Sequence, residues 1–353
     1  MYCIAHHILS PLANGSEANF RAIQEGKSAL SLYDQHFPSV EPFCASLFDS
    51  AQNFTHLCIQ SASQAIKDAD IDASSPEVVF VLSTTKGDNL QLLAPAKEVV
   101  RYFNNPNAPI IVSNACISGV SAQIAAWRLL QSGKYSVAVV IGCDIQSQFI
   151  VSGFQSFKAL SDSPSRPFDA QRKGLNLGEA AATMIYGVER PKKACWQLTA
   201  GSMHNDANHI SGPSRTGEGS YRCLLDVLQH CDVRDITALS VHGTATLYND
   251  EMEAIAIQRA NMLEIPILAF KGYYGHTMGA AGVLETILTL LSLENGVLIG
   301  NPRYEECGTS YQLNITNQHR YFTNQPTHFI KMMSGFGGCN AAIRLSYCGY
   351  DEL

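Results

Sequence analysis

The chain has 353 residues, of which 46% are hydrophobic and 16% are charged. This composition is typical of a globular protein with a large buried core, and it excludes an intrinsically disordered chain. The net charge of −7 at pH 7 argues against nucleic acid as the main partner.

The cysteines and the apolar segments narrow the class of protein further. Eleven cysteines are present and none forms a C-x-x-C pair, so we expect no metal site. The N-terminal residues lack the basic and apolar regions of a secretory signal, and polar residues interrupt every apolar stretch well short of a membrane span. Free thiols in such a chain predict a protein of the reducing cytoplasm, with no membrane span.

Apolar, β-branched runs alternate with amphipathic segments along the chain. The predicted strands are 78–82, 110–112, 137–141, 238–241 and 265–270, and the predicted helices are 55–69, 119–132, 249–260 and 279–295. This alternation indicates an α/β fold with buried sheets. The last helix begins with the small residues 279–282, which predicts close packing against another backbone.

Two segments mark the organisation of the chain. The charged, proline-containing stretch 188–193 predicts a boundary that divides the chain into units 1–190 and 191–353. The segment 201–220 is rich in Gly, Ser, Asn and His, and we predict a surface loop there.

Cys116 is the most informative residue of the sequence. It follows the predicted strand 110–112 and precedes the predicted helix 119–132, so it lies at a sharp strand-to-helix turn. The dipole at a helix N-terminus favours thiolate over thiol. We therefore predict that Cys116 is a nucleophile with a lowered pKa, whereas the alternative for any single cysteine is a buried structural residue.

Two histidines follow later predicted strands. His242 comes after strand 238–241, and His276 comes after strand 265–270. Because strand ends meet at one edge of an α/β sheet, both side chains are expected to converge on Cys116. A thiolate can take an acyl group from a thioester, and two imidazoles can donate hydrogen bonds to an enolate oxygen. Either histidine alone is equally compatible with a structural role.

A glycine-rich segment, 335–338, lies between two predicted strands near the C-terminus. It is compatible with a tight hairpin. It is also compatible with a backbone N–H that binds an oxyanion, because glycines allow unusual backbone directions.

Together these motifs resemble those of the β-ketoacyl-[acyl carrier protein] synthases, the condensing enzymes of the thiolase superfamily. The matching motifs in chain order are Ala159-Leu160-Ser161, Ser165-Arg166-Pro167-Phe168-Asp169, Gly178-Glu179-Ala180-Ala181, His242-Gly243-Thr244, Asp250 with Glu253, Lys271 with Gly275-His276, and Gly335-Phe336-Gly337-Gly338. The Cys-His-His set resembles the elongating members. The resemblance implies an α/β, thiolase-like five-layer αβαβα fold of two similar halves, with the cysteine in the first half and both histidines in the second.

The resemblance also implies the reaction and the roles of its residues. Cys116 would accept the acyl group, and His242 and His276 would promote decarboxylation of malonyl-[acyl carrier protein] and stabilise its enolate. Lys271, placed near Glu253, would support them.

The remaining site residues bind the substrate thioester. The backbone N–H groups of Cys116 and Phe336 would form the oxyanion hole, and Phe336 would also act as a gate. Thr244 and Thr246 would contact the phosphopantetheine arm. The arm is carried by the acyl carrier protein, so the resemblance implies no cofactor of the chain's own.

The departures from the family pattern leave an alternative open. The chain before Cys116 is shorter than is usual in the family, and Ser334 stands where an aromatic residue is expected. These features imply a specialised synthase of a type II polyketide or pigment system, working as a homodimer or as a heterodimer with another ketosynthase-like subunit. The alternative is a chain-length-factor partner that does not itself condense. A thiolase is disfavoured because Cys339 occupies the variable position of G-F-G-G-x-N.

Overall fold

The computed structural model describes residues 1–206, 208 and 212–349. Within these ranges the strands are β1 (Tyr2–Leu9), β2 (Ser31–Tyr33), β3 (Phe43–Ser46), β4 (Val78–Ser83), β5 (Ile110–Val112), β6 (Val137–Asp144), β7 (Leu177–Gly178), β8 (Ala180–Gly187), β9 (Cys195–Asn205), β10 (Ile236–Ser240), β11 (Ile267–Leu268), β12 (Val297–Leu298), β13 (Arg320–Tyr321), β14 (His328–Gly335) and β15 (Cys339–Cys348). The helices are α1 (Ser16–Gln24), α2 (Phe54–Ala69), α3 (Leu93–Tyr102), α4 (Ser118–Gln131), α5 (Gln148–Ser156), α6 (Glu218–Val227), α7 (Leu247–Arg259), α8 (Lys271–Tyr274) and α9 (Ala281–Glu294), with short 3₁₀ helices at Val233–Asp235 and Met278–Ala280.

Ten strands form a mixed sheet that consists of two equivalent halves. The spatial order is β5-β4-β6-β8-β1 in the first half and β11-β10-β14-β15-β9 in the second. In each half, the last three strands of this order pair antiparallel and the others pair parallel. A single residue pair between β1 and β9, Tyr2 with Gln197, links the halves. The predicted α/β class is therefore confirmed, and the same strand order occurs twice.

Helices cover both faces of each half. Helices α4 and α9 contact each other and strands of both halves, so they form the central layer. Helix α2 packs on β1, β6 and β8 with α3 beside it, and α6 packs on β9, β14 and β15 with α7 beside it. The layers therefore alternate as αβαβα. No helix in the described ranges is both long and apolar enough to cross a bilayer.

The bounds of the surface loop predicted at 201–220 are wrong at both ends. Strand β9 continues to Asn205 because it pairs with β15 as far as Cys339, and α6 begins at Glu218. Long-range pairing with β15 outweighs the local loop-forming composition. Residues 207 and 209–211 of the predicted loop lie outside the described residues.

The predicted close packing at the start of the helix 279–295 is confirmed. The helix proper is α9, and its second residue, Gly282, lies against Gly119, the second residue of α4. A Cβ atom on Gly282 would lie 2.5 Å from the backbone nitrogen of Val120 and 2.7 Å from the backbone carbon of Gly119. These contacts involve backbone atoms of a packed helix, so they cannot be relieved by a side-chain rotation.

We predict that Gly282→Ala lowers the free energy of unfolding by about 1–3 kcal/mol because the added methyl overpacks the central layer. Denaturation in urea, followed by circular dichroism, measures the loss. Gly153→Ala is the matched control, because Gly153 lies inside α5 with no atom within 4 Å of an added Cβ. It is expected to gain up to about 1 kcal/mol from helix propensity. Equal effects of the two substitutions would contradict the close-packing argument.

Candidate active site

The turn that carries Cys116 is held by local hydrogen bonds. Ala115 adopts a φ of 44°, in the left-handed region, which turns the chain sharply between β5 and α4. The Ser118 hydroxyl donates to the carbonyl oxygen of Ala115 at 2.6 Å and accepts from the backbone N–H of Asn114 at 2.8 Å. The Cys116 side chain is thereby fixed at the N-terminus of α4, where it is almost completely buried.

The predicted lowering of the Cys116 pKa is wrong. Complete burial of the thiol raises its pKa to about 11, although the charge of Lys271 and the backbone N–H of Phe336 act in the opposite direction. Desolvation outweighs these effects because burial removes the water that would stabilise the thiolate. Cys116 is therefore a thiol at neutral pH.

The structure brings Cys116 together with the two histidines. The Cys116 Sγ atom and one ring nitrogen each of His242 and His276 all lie within 4.8 Å of one another. The two imidazoles are buried and nearly perpendicular, with ring centroids 5.1 Å apart. Burial, followed by the charges of Lys271 and Lys331, lowers the pKa of both imidazoles well below its ordinary value. Both rings are therefore neutral.

The hydrogen bonds of His276 fix which of its nitrogens carries the proton. Its Nδ1 accepts a hydrogen bond from the backbone N–H of Met278 at 3.3 Å. In the neutral ring the proton then lies on Nε2. This Nε2 is buried and has no hydrogen-bond partner among the described residues. It is therefore a free donor inside the site.

Glu253 holds the backbone around His242 and does not pair with Lys271. Its carboxylate accepts from the backbone N–H groups of His242 and Gly243, each at 2.7 Å. Lys271 lies near Glu253, as expected: burial raises the pKa of Glu253, and the charge of Lys271 opposes this rise. The hydrogen bonds of Lys271 Nζ go elsewhere, to Glu285 Oε1 at 2.7 Å and to the carbonyl oxygen of His242 at 2.6 Å.

A second buried lysine completes this charged cluster. Lys331 Nζ donates to Glu285 Oε2 and, at 2.8 Å, to the carbonyl oxygen of Val241. The Glu285 carboxylate thus lies between two ammonium groups, and these bind the carbonyls of two successive residues, Val241 and His242. We refer to Lys271, Glu285 and Lys331 as the Lys-Glu-Lys cluster.

Sequence reasoning missed two members of this cluster. Glu285 is the single charged residue between positions 281 and 293 of the apolar helix α9, and Lys331 interrupts the apolar run of β14. A lone charge in a segment that is otherwise fully apolar is seldom buried without a partner. That signal identifies both residues as a candidate buried pair.

The glycine-rich hairpin places a second backbone donor beside Cys116. Gly337 and Gly338 have positive φ values of 83° and 74° and form the turn between β14 and β15. A Cβ atom on Gly335 would lie 3.2 Å from the backbone nitrogen of Cys116, so the hairpin approaches the α4 turn closely. The N–H groups of Phe336 and Cys116 both act on the Cys116 thiol, and each lowers its pKa in part.

Two cavities meet at Cys116. Cavity A has a volume of about 450 Å³, and cavity B has a volume of about 360 Å³. Both are lined by Cys116, Phe154 and Phe336. Phe336 stacks on Phe154 with ring centroids 5.4 Å apart, and it contacts the edge of Phe157 at 5.5 Å. These aromatic rings separate the cavities at the position of the thiol.

Cavity A also contains the two threonines singled out in the sequence. The hydroxyls of Thr244 and Thr246 are 2.9 Å apart and lie on the same cavity wall. Lys158 and Lys173 line the same cavity, together with His242 and His276. Cavity A therefore leads past polar and cationic side chains to the thiol.

The Cys-His-His set also tests the expectation of no metal. Among the described residues, these three side chains have ligand atoms close enough for a metal ion, and the donor types occur in zinc sites. However, the charges of Lys271 and Lys331 that oppose protonation of both imidazoles also repel a divalent cation. A metal ion would also have to displace the proton of the buried Cys116 thiol. These charges disfavour a metal ion, and the expectation of no metal stays a prediction.

Comparisons with known families and proteins agree with the geometry. Residues 99–190 match the family described as "Beta-ketoacyl synthase, N-terminal domain", and residues 197–305 match "Beta-ketoacyl synthase, C-terminal domain". The chain is 29% identical over 283 residues to the 3-oxoacyl-[acyl-carrier-protein] synthase 2 of Rhizobium meliloti, covering 75% of this chain and 66% of that protein. It is 26% identical over 369 residues to the tetracenomycin polyketide synthase ketoacyl synthase alpha subunit of Streptomyces glaucescens, covering 89% and 85%.

Solved structures show the same fold. A ketosynthase in complex with its chain length factor from Xenorhabdus doucetiae matches with a TM-score of 0.90 and 21% identity, covering 98% of both chains. The ishigamide ketosynthase/chain length factor matches with a TM-score of 0.88 and 20% identity, covering 99% of both chains. The fold is therefore thiolase-like.

We predict that Glu285→Gln lowers the free energy of unfolding by about 3–5 kcal/mol, because it leaves two buried ammonium groups without their counter-charge. Urea denaturation measures the loss. Glu98→Gln is the control, since Glu98 is exposed on α3, and it should change stability by no more than about 0.5 kcal/mol. A loss as small as that of the control would show that the cluster is not held by charge.

Proposed function

Because the chain belongs to the β-ketoacyl synthase family, we propose that it is a β-ketoacyl-[acyl carrier protein] synthase. It would catalyse decarboxylative Claisen condensation of an acyl thioester with malonyl-[acyl carrier protein], through an acyl-Cys116 intermediate. The observation that carries the proposal is the placement of one thiol and two neutral imidazoles within 4.8 Å, beside two backbone N–H groups. The chain's own residues supply every catalytic group in this scheme.

In the first step the Cys116 Sγ attacks the carbonyl carbon of the acyl thioester. Because the thiol pKa is about 11, its proton leaves as the new bond forms, and the neutral imidazole of His242 accepts it, since both nitrogens of His276 are occupied. The N–H groups of Cys116 and Phe336 stabilise the oxyanion. The bond to the carrier sulfur then breaks, and that sulfur receives the proton.

In the second step malonyl-[acyl carrier protein] loses CO₂ and becomes an enolate. The Nε2–H of His276 and a ring N–H of His242 donate hydrogen bonds to the enolate oxygen. The enolate carbon attacks the carbonyl carbon of acyl-Cys116 and expels the Cys116 thiolate. The thiolate takes up a proton from solvent through the imidazole pair, which restores the thiol.

The two cavities would hold the two ends of the acyl thioester on opposite sides of Phe336. Cavity A would hold the phosphopantetheine arm of the acyl carrier protein, since the hydroxyls of Thr244 and Thr246 can bind its amides. Lys158 and Lys173 line the same cavity and match the charge of its phosphate. Cavity B, on the other side of Phe336, would hold the acyl chain.

The predicted cytoplasmic location stays a prediction.

A partner subunit would cover the outer side of cavity B. Leu90 and Phe149 line this cavity and are 65% and 67% exposed, and Leu93 is 52% exposed at the start of α3. Large apolar side chains grouped at a cavity mouth are typical of an interface. The structural neighbours described as ketosynthase and chain length factor complexes support a second ketosynthase-like subunit as the partner, in a homodimer or a heterodimer.

The same neighbours also keep a second function open. A chain length factor is described as the partner of a ketosynthase in those complexes. The complete set of Cys116, His242 and His276 favours the condensing role for this chain.

Intact-protein mass spectrometry after incubation with acyl-loaded carrier protein tests the proposal. We predict that the wild-type chain gains one acyl group and that Cys116→Ala gains none, because the substitution removes the nucleophile. Cys339→Ala is the matched control and should load normally, since Cys339 lines neither cavity. Condensation that needs a partner subunit and persists in Cys116→Ala would assign the chain to the non-condensing role.

A second prediction concerns the pH dependence of malonyl decarboxylation. Lys331→Met removes a positive charge that lowers the pKa of His242 and His276, so both pKa values rise. A protonated imidazole would stabilise the malonyl carboxylate in the ground state and slow its loss. We therefore expect the acid limb of the rate profile to move to higher pH.

Lys331→Arg provides the control for this measurement because it keeps the charge. Its acid limb should remain at the wild-type pH even if its maximal rate falls. An unchanged acid limb in Lys331→Met would show that Lys331 acts only on stability.

A further inference from the structure

Cavity B has one charged side chain, Lys86, in a wall that is otherwise mostly apolar and includes Thr85 and Cys116. Lys86 follows β4 and lines the cavity together with Leu90, Leu92, Phe149 and Ile150. The lysine is only 9% exposed. A hydrocarbon chain in this cavity would remove the ammonium group from water without offering it a hydrogen bond, which is costly.

The Lys86 ammonium has spare hydrogen-bonding capacity. Its Nζ donates to the carbonyl oxygen of Gly87 at 3.3 Å, and among the described residues no carboxylate lies within 4.0 Å of it. An ammonium group has three donors. Two of them therefore have no protein partner in the described part of the chain.

The charge of Lys86 acts on two carboxylates, the buried Asp144 and the half-buried Glu179. The oxygens of Asp144 accept from the Thr84 hydroxyl at 2.7 Å, from the Thr85 N–H and hydroxyl at 2.8 and 2.9 Å, and from the Gly279 N–H at 2.7 Å. These four donors satisfy Asp144 without Lys86. Burial raises the pKa of Asp144, and the charge of Lys86 acts against this rise.

Glu179 is the second carboxylate. It accepts from the backbone N–H groups of Gln146 at 2.7 Å and Phe48 at 3.0 Å. Burial raises its pKa as well, and Lys86 again opposes the rise. Lys86 therefore balances two carboxylates at a distance while its own donors remain free for a ligand in cavity B.

We propose that cavity B binds acyl chains that carry a neutral oxygen acceptor, a keto or hydroxyl group, and that Lys86 Nζ donates a hydrogen bond to it. This inference rests on the proposed function, since it assigns cavity B to the acyl chain. A neutral oxygen fits better than a carboxylate, because Asp144 and Glu179 already offset the lysine charge and would repel a third anion. Lys86 is thus a residue that determines specificity for oxygenated acyl chains over plain hydrocarbon chains.

The test compares the rates at which carrier protein transfers four acyl chains of equal length to Cys116 of the full-length chain. The chains are octanoyl and its analogues with a mid-chain keto group, a terminal hydroxyl and a terminal carboxylate. A hydrogen bond to a charged group corresponds to about tenfold or more in rate or affinity. We expect at least one of the two oxygenated chains, keto or hydroxyl, to load about tenfold faster than octanoyl. The carboxylate chain should load more slowly than the better of the keto and hydroxyl chains.

Variants of Lys86 test whether this side chain causes the preference for oxygenated acyl chains. Lys86→Met should abolish the preference by accelerating octanoyl and slowing the oxygenated chain, while Lys86→Gln should keep part of it through its amide donor. Lys134→Met removes an exposed lysine at the far end of β6 and should leave the ratio of rates unchanged.

The outcomes separate this inference from the proposed function. If none of the four chains loads onto wild-type Cys116, the proposed function fails. If octanoyl loads as fast as the keto and hydroxyl chains, only the role of Lys86 is overturned, and this comparison needs the wild-type chain alone. Faster loading of the carboxylate chain would overturn the assignment to a neutral acceptor.

Discussion

The arrangement of the site depends on one buried carboxylate between two ammonium groups. Glu285 projects from the central helix α9, Lys271 begins α8, and Lys331 lies on β14. Because a buried charge without a partner is strongly destabilising, these three elements can pack only when the cluster is complete. The two lysines also bind successive carbonyls at the end of β10, so the cluster fixes the backbone that carries His242.

The same cluster adds to the effect of burial on the protonation states of His242 and His276. With two cations and one anion it contributes a net positive charge, which adds to burial in keeping both imidazoles neutral. Burial acts on Cys116 in the opposite sense and keeps its thiol protonated. A thiol beside neutral imidazoles carries no net charge, so it can remain buried until a thioester arrives. In the proposed reaction the Cys116 thiol would therefore be activated only when the thioester binds.

Sequence patterns predicted the features that depend on local structure. Continuous apolar runs located the core strands, and the strand-to-helix turn located Cys116. The pKa of Cys116 could not be predicted from the sequence because it depends on complete desolvation by residues distant in sequence. The contact of Lys271 with Glu285 was not predicted for a similar reason, since Glu285 meets Lys271 only after α9 has packed. The continuation of β9 to Asn205 likewise depends on pairing with β15.

The repeated topology explains why a cysteine and a histidine meet at the centre of the molecule. Among the five large-sheet strands of each half, the third in chain order is followed by a connection to a central helix. The connection from β5 to α4 contains Cys116, and the connection from β11 to α9 contains α8, His276 and a 3₁₀ helix. Gly119 and Gly282 occupy the second position of these helices and lie in contact. Their missing side chains bring the two helix starts together, so the equivalent turns face one another across the site. The fold therefore places Cys116 and His276 in the corresponding strand-to-helix connections of its two halves.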